Sequence, residues 1–152
     1  MRSKVRRLFF TAIAGWCAVW SARYLAAQRG NSITVTRLYA GPNGEARAEK
    51  TALNLRPSSL HSGLDETGLL QTSGAQFLRW PSGTVWEWHT ASKRQYVITV
   101  SGRGEVEVAG GQKIPLNPGQ ILLAEDVTGK GHTTRVLGSD DLVLLLVPLA
   151  AQ

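Results

Sequence analysis

The chain is 152 residues long, enough for one domain with a terminal segment. Hydrophobic residues make up 43% and no low-complexity run interrupts an ordinary globular composition. The formal net charge is +6, but six of the 17 basic residues (Arg2, Lys4, Arg6, Arg7, Arg23, Arg29) fall in residues 1–30, which hold no acid, and the remainder balances the 11 acids. Beyond residue 30 the chain is neutral, so it lacks the electrostatic footprint of a nucleic-acid binder.

The first 30 residues read as a targeting segment. A basic stretch ends at Arg7, an apolar run covers Leu8 to Trp20, and small residues follow at Ser21, Ala22, Ala26 and Ala27. The run of about 13 residues is short against the roughly 20 that span a bilayer. We read it as a signal peptide for export to the periplasm or the extracellular space, with Leu25-Ala26-Ala27 or Val19-Trp20-Ser21 as the cleavage site. Arg6-Arg7-Leu8-Phe9-Phe10 faintly resembles a twin-arginine export signal, but a general secretory n-region accounts for it. The alternatives are an uncleaved N-terminal anchor at residues 8–22, the one route to membrane contact, and a mis-assigned start codon, which would make the protein cytoplasmic. Cys17 is the single cysteine, so the remaining chain cannot form an internal disulfide. Trp16 is too bulky before Cys17 for a lipid-anchor motif. The domain plan is therefore 1–30 leader and 31–152 folded domain.

The domain reads as all-β. Strands are expected over Ser32 to Tyr39, Ala46 to Leu55, Ala75 to Trp80, Thr84 to His89, Gln95 to Ser101, Gly104 to Val108, Gln120 to Ala124, Thr133 to Leu137 and Leu142 to Val147. Turn signals separate them: Gly41-Pro42-Asn43-Gly44, Pro81-Ser82-Gly83, Ser101-Gly102-Arg103-Gly104, Asn117-Pro118-Gly119 and Gly138-Ser139-Asp140. Residues 56–74 have no period and read as a loop or short helical turn over one end of a barrel. Many short strands at close spacing mean a sandwich or barrel.

Two glycine–histidine patterns narrow this further. The first is Gly83-x5-His89-x-Ala91-x3-Gln95-x6-Gly102; the second runs through Asn117-Pro118-Gly119 and Ile121 to Ala124 to Gly129-Lys130-Gly131-His132. They resemble the two motifs of the cupin superfamily, over roughly residues 74 to 148. The resemblance implies a cupin-type (RmlC-like) double-stranded jelly-roll β-barrel around a small-molecule pocket. It also matches small single-domain bacterial cupins carrying Arg94-Gln95-Tyr96 and Glu125 to His132. Family metal sites take three histidines and a glutamate. Here Ala91 replaces the second histidine, Gln95 the glutamate and Val136 the final asparagine, and two extra residues precede His132.

In the cupin register, residues two apart share a face. Val85, Glu87, His89 and Ala91 would then face inward, Trp86 and Trp88 outward, and Gln95 and His132 would join them in the pocket. His89, Gln95 and His132 are the candidate metal ligands, with Glu87 supplying a negative charge. The cofactor would be one divalent transition metal (Fe, Zn, Ni or Mn), or none. Without metal, His89, His132 and Glu87 are candidate acid–base groups, and Lys130 or Arg94 candidate stabilisers of an enolate, as in an isomerase, epimerase or lyase. The polar run Glu125 to His132 reads as a binding loop or as a turn in which Asp126 caps backbone amides, with Asp126 and Thr128 structural and His132 functional; His61 reads as a surface residue. Gly102 and Gly119 read as tight-turn residues.

Trp80, Trp86 and Trp88 fall within nine residues, and the last strand is apolar on both faces. An exposed Trp pair and a two-faced apolar edge strand both point to a homodimer. The sequence leaves three functions open: an enzyme on a small organic substrate, a non-catalytic ligand-binding or sensing module, and a structural remnant with a filled pocket.

Overall fold

The computed structural model describes residues 31–150. The leader, the 8–22 anchor and the cleavage sites expected from the sequence lie outside these residues. Twelve strands follow in order: β1 (Ser32–Ala40), β2 (Ala46–Asn54), β3 (Arg56–Pro57), β4 (Asp65–Glu66), β5 (Gln76–Trp80), β6 (Val85–His89), β7 (Gln95–Ser101), β8 (Arg103–Glu107), β9 (Lys113–Leu116), β10 (Ile121–Glu125), β11 (His132–Leu137) and β12 (Leu142–Pro148).

One sheet has the order β2-β1-β10-β7-β12-β5 and a second the order β6-β11-β8-β9. From β5 onward, consecutive strands form β5/β12/β7/β10 on one side and β6/β11/β8/β9 on the other. That alternation is the strand order of an eight-stranded jelly roll, as the resemblance implied. The two sheets share no ladder among the described residues, so the jelly roll is an open sandwich. β1 and β2 extend the first sheet, with β1 parallel to β10 from Thr36↔Leu122 to Tyr39↔Glu125.

The core lies between the sheets and comes from alternate strand positions, as a two-layer fold requires. It includes Leu38, Val106, Leu116, Leu122, Leu142 and Leu144. Leu38 and Leu142 are completely buried, each contributing roughly 1.5–3 kcal/mol of transfer free energy.

Three expectations are corrected. β9 was not foreseen, because Pro115 weakens the strand signal; at the edge of its sheet, beside β8 alone, Pro115 costs no ladder bond on its free side. The 56–74 segment holds the small β3–β4 ladder and the Thr72↔Leu149 bridge. β12 is no edge strand: it lies between β7 and β5, so both of its edges are paired within the sheet. The edge argument for a dimer therefore fails.

Candidate functional site

A cavity of about 260 Å³ opens between the sheets, and His89, Gln95 and His132 line it together with Trp80, Trp86 and Ala91. β6 delivers His89, β7 delivers Gln95 and β11 delivers His132. The ring centroids of His89 and His132 lie 4.4 Å apart, tilted at 58°. Gln95 and His132 are buried.

Local chain geometry brings the histidines together. His132 pairs with His89 across the β11–β6 ladder, while Thr134 pairs with Trp86 and Arg135 with Val85. Two residues, Glu87 and Trp88, thus oppose Thr133 alone, which is a β-bulge. Gly131 makes the close start of β11 feasible. Its φ is +71°, and a Cβ there would sit 1.9 Å from the carbonyl oxygen of His89. No other residue type fits that approach without moving the backbone.

Each imidazole is anchored through Nδ1. His89 Nδ1 donates to the carbonyl of Glu87 at 2.7 Å, and His132 Nδ1 donates to Oδ2 of Asp126 at 2.6 Å. A carbonyl and a carboxylate can only accept, so both rings carry a proton on Nδ1, and neither Nε2 has a hydrogen-bond partner among the described residues. Asp126 is completely buried, and its other oxygen, Oδ1, meets no hydrogen-bond donor among the described residues. Its backbone carbonyl accepts from Ala91 N at 3.2 Å, which pins the chain after β6 to the base of the pair. Burial lowers the pKa of His89; the hydrogen bond to the Glu87 carbonyl raises it in part, and nearby His132 lowers it further. The Trp86 indole stacks on the His89 ring at 4.1 Å and 10°, and Trp80 lies 5.3 Å beyond Trp86.

The candidate site residues thus divide. His89, Gln95 and His132 meet in one cavity. Glu87 does not: the bulge breaks the strand alternation, leaving Glu87 exposed and putting Trp86 on the lining in its place. Lys130 is exposed and bonds Glu45 at 3.2 Å, and Arg94 pairs with Glu125, so neither lines the cavity. Trp88 is exposed, as expected, and so is His61. Gly102 and Gly119 both adopt positive φ in turns, also as expected. Sequence reasoning missed Asp126 as the partner of His132, giving it backbone amides instead. The available signal was a carboxylate just past an apolar strand, six residues before a histidine across a turn with two glycines.

The donor set for a metal is short of an anionic ligand. Two imidazole nitrogens and a neutral amide oxygen are present, and the nearby carboxylate of Asp126 is spent on His132. Among the described residues, no cluster of three or more His, Cys, Asp or Glu is arranged to hold a metal ion. Two imidazole acceptors beside one another instead favour a ligand that offers a hydrogen-bond donor.

The strand order is that of a jelly roll, and the histidines of the two cupin-like patterns line one cavity. No family model matches the chain, and no curated protein matches it. Among solved structures, the chain is similar to an RmlC-like cupin protein from Desulfovibrio desulfuricans, 18% identical, covering 53% of this chain and 80% of that one at a TM-score of 0.38. The Cnp3 cupin domain of Schizosaccharomyces pombe is 14% identical, with 82% and 88% covered and a TM-score of 0.41. A predicted oxalate decarboxylase from Thermotoga maritima is 17% identical, with 76% and 93% covered and a TM-score of 0.39.

Proposed function

We propose that the protein binds a small organic molecule in the jelly-roll cavity and acts on it by proton transfer. The observation that carries this reading is the pair of anchored imidazoles lining one cavity, each with Nδ1 committed to an acceptor. The buried Asp126–His132 pair fits a general base. A substrate proton passes to Nε2 of His132, and Asp126 stabilises the imidazolium that forms. His89, held neutral by burial, accepts a second hydrogen bond and orients the substrate. The Gln95 amide N–H can donate to an oxygen that gains charge as the proton leaves. This is the chemistry of an isomerase, epimerase or lyase, with Glu87, Lys130 and Arg94 outside the reacting centre.

Thermal-shift screening of the full chain against small organic compounds tests this. A true ligand at 100 times its Kd stabilises the parent by about 2.7 kcal/mol and leaves a His89→Ala, His132→Ala double variant unmoved. Equal shifts in both proteins contradict the proposal. Turnover abolished by His132→Ala separates the enzyme from a binding module.

A divalent transition metal (Fe, Zn, Ni or Mn) is the second reading, favoured by the carboxylate behind His132, an arrangement that also orients metal-binding histidines. His89, Gln95 and His132 would hold it, and it would supply Lewis-acid polarisation of a bound oxygen. Elemental analysis of the purified chain decides: about one metal per chain, lost in the double variant, would replace the metal-free reading.

A further inference from the structure

We infer that the cavity selects an uncharged, largely apolar ligand bearing a hydroxyl or other hydrogen-bond donor, and rejects carboxylates and ammonium ions of the same size. This rests on the small-molecule reading above and adds the charge state and the polar group of the ligand. Among the described residues, the lining includes no Asp, Glu, Lys or Arg. Arg94 and Arg37 pair with Glu125, and Lys130 with Glu45, outside the lining. An anion would shed its water and meet no cation. It would also approach the buried Asp126 carboxylate, whose Oδ1 no donor neutralises. A cation would find no carboxylate on the wall, because Asp126 stands behind His132. Burying an unpaired ion costs several kcal/mol, which a cavity of this size cannot return from contacts alone.

The polar group follows from the same inventory. Two Nδ1-protonated imidazoles present acceptors, and Gln95 presents a donor and an acceptor. A hydroxyl donating to one imidazole and accepting from Gln95 satisfies both. An ether or a hydrocarbon leaves the imidazole lone pairs buried and unpaired. Leu78, Val97, Leu144 and Leu146 line the cavity beyond these groups and suit an apolar body.

Isothermal titration of the full chain with four probes of similar size tests the inference: 4-methylphenol, anisole, benzoate and benzylammonium. We expect 4-methylphenol to bind about tenfold or more tightly than either ion, and more tightly than anisole. His132→Gln narrows the gap between 4-methylphenol and anisole. Gln76→Lys, on an exposed edge position that lines the cavity, moves the preference toward benzoate without disturbing the core. Benzoate or benzylammonium binding as tightly as 4-methylphenol overturns this inference and leaves the pocket reading standing. Binding of none of the four overturns both. An unchanged preference in Gln76→Lys shows that the charge of the wall does not select, and also overturns the inference.

Discussion

Asp126 accepts a hydrogen bond from His132 at 2.6 Å, and both side chains are buried beside the cavity. They lie six positions apart in sequence, and the turn between them contains two glycines at positive φ. Removing the carboxylate strands the imidazole Nδ1–H in the interior. Asp126→Ala should therefore lower the unfolding free energy by roughly 1–3 kcal/mol, the cost of a buried polar group without its partner. The measurement is the midpoint of chemical denaturation. Asp126→Asn keeps the volume and one acceptor oxygen but loses the charge, so it should recover much of the stability and little of any turnover. An Asp126→Ala midpoint equal to the parent contradicts the pair as a structural unit.

The fold was legible because alternation and turn residues survive in a single sequence. The β6, β7 and β10–β12 strands each carry a short apolar or β-branched run between glycine turns. β9 was hidden by Pro115, whose edge position no local pattern reveals. The site was half legible. His89, Gln95 and His132 follow from the resemblance of their patterns to the cupin motifs, but Glu87 was drawn inward by strict period-two counting, and one bulge reversed it. Nothing in Glu87-Trp88-His89 announces a bulge, since it arises from how β6 must meet β11. Asp126 was read from its turn and its neighbours, while its partner arrives only when the chain closes back at His132.

Gly131 carries the approach of β11 to β6. In Gly131→Ala the new Cβ would fall 1.9 Å from the His89 carbonyl oxygen, at a φ that disfavours every L-residue. We expect a loss of about 2 kcal/mol or more, from backbone strain and the forced shift together. Thermal melting measures it. A variant with the parent melting temperature would mean that β6 and β11 do not meet this closely.

Glu125 gives the stability its acid limb. Burial alone would raise its pKa, but hydrogen bonds from Arg37 and Arg94 outweigh that and hold it below the ordinary 4.5. A carboxylate with a lowered folded pKa stabilises fully above its unfolded value. That contribution is lost as pH falls through the folded value. The parent should thus lose denaturation midpoint steadily below pH 4.5, and Glu125→Gln should be flatter over the same range. Parallel curves for the two proteins would rule the ion pairs out as the cause.

His89 should titrate below its ordinary 6.5, because burial disfavours its charged form. The unfolded chain then binds this proton more readily than the folded one, so His89 works against stability as pH falls below 6.5. Trp86→Ala uncovers the stacked face of the ring and should bring the midpoint back toward 6.5. Proton NMR of the imidazole ring follows both. A midpoint above 6.5 in the parent contradicts the lowered pKa of the half-buried His89.

The central claim is that both histidines hold their proton on Nδ1 and offer Nε2 to the ligand. Nitrogen-15 NMR of the imidazole side chains reads this directly, since protonated and bare ring nitrogens resonate in separate ranges. We predict a protonated Nδ1 and a bare Nε2 for His89 and His132 at neutral pH, with both Nε2 signals moving when a cavity ligand is added. A proton on Nε2 of either ring, or Nε2 signals indifferent to a bound ligand, would contradict the account.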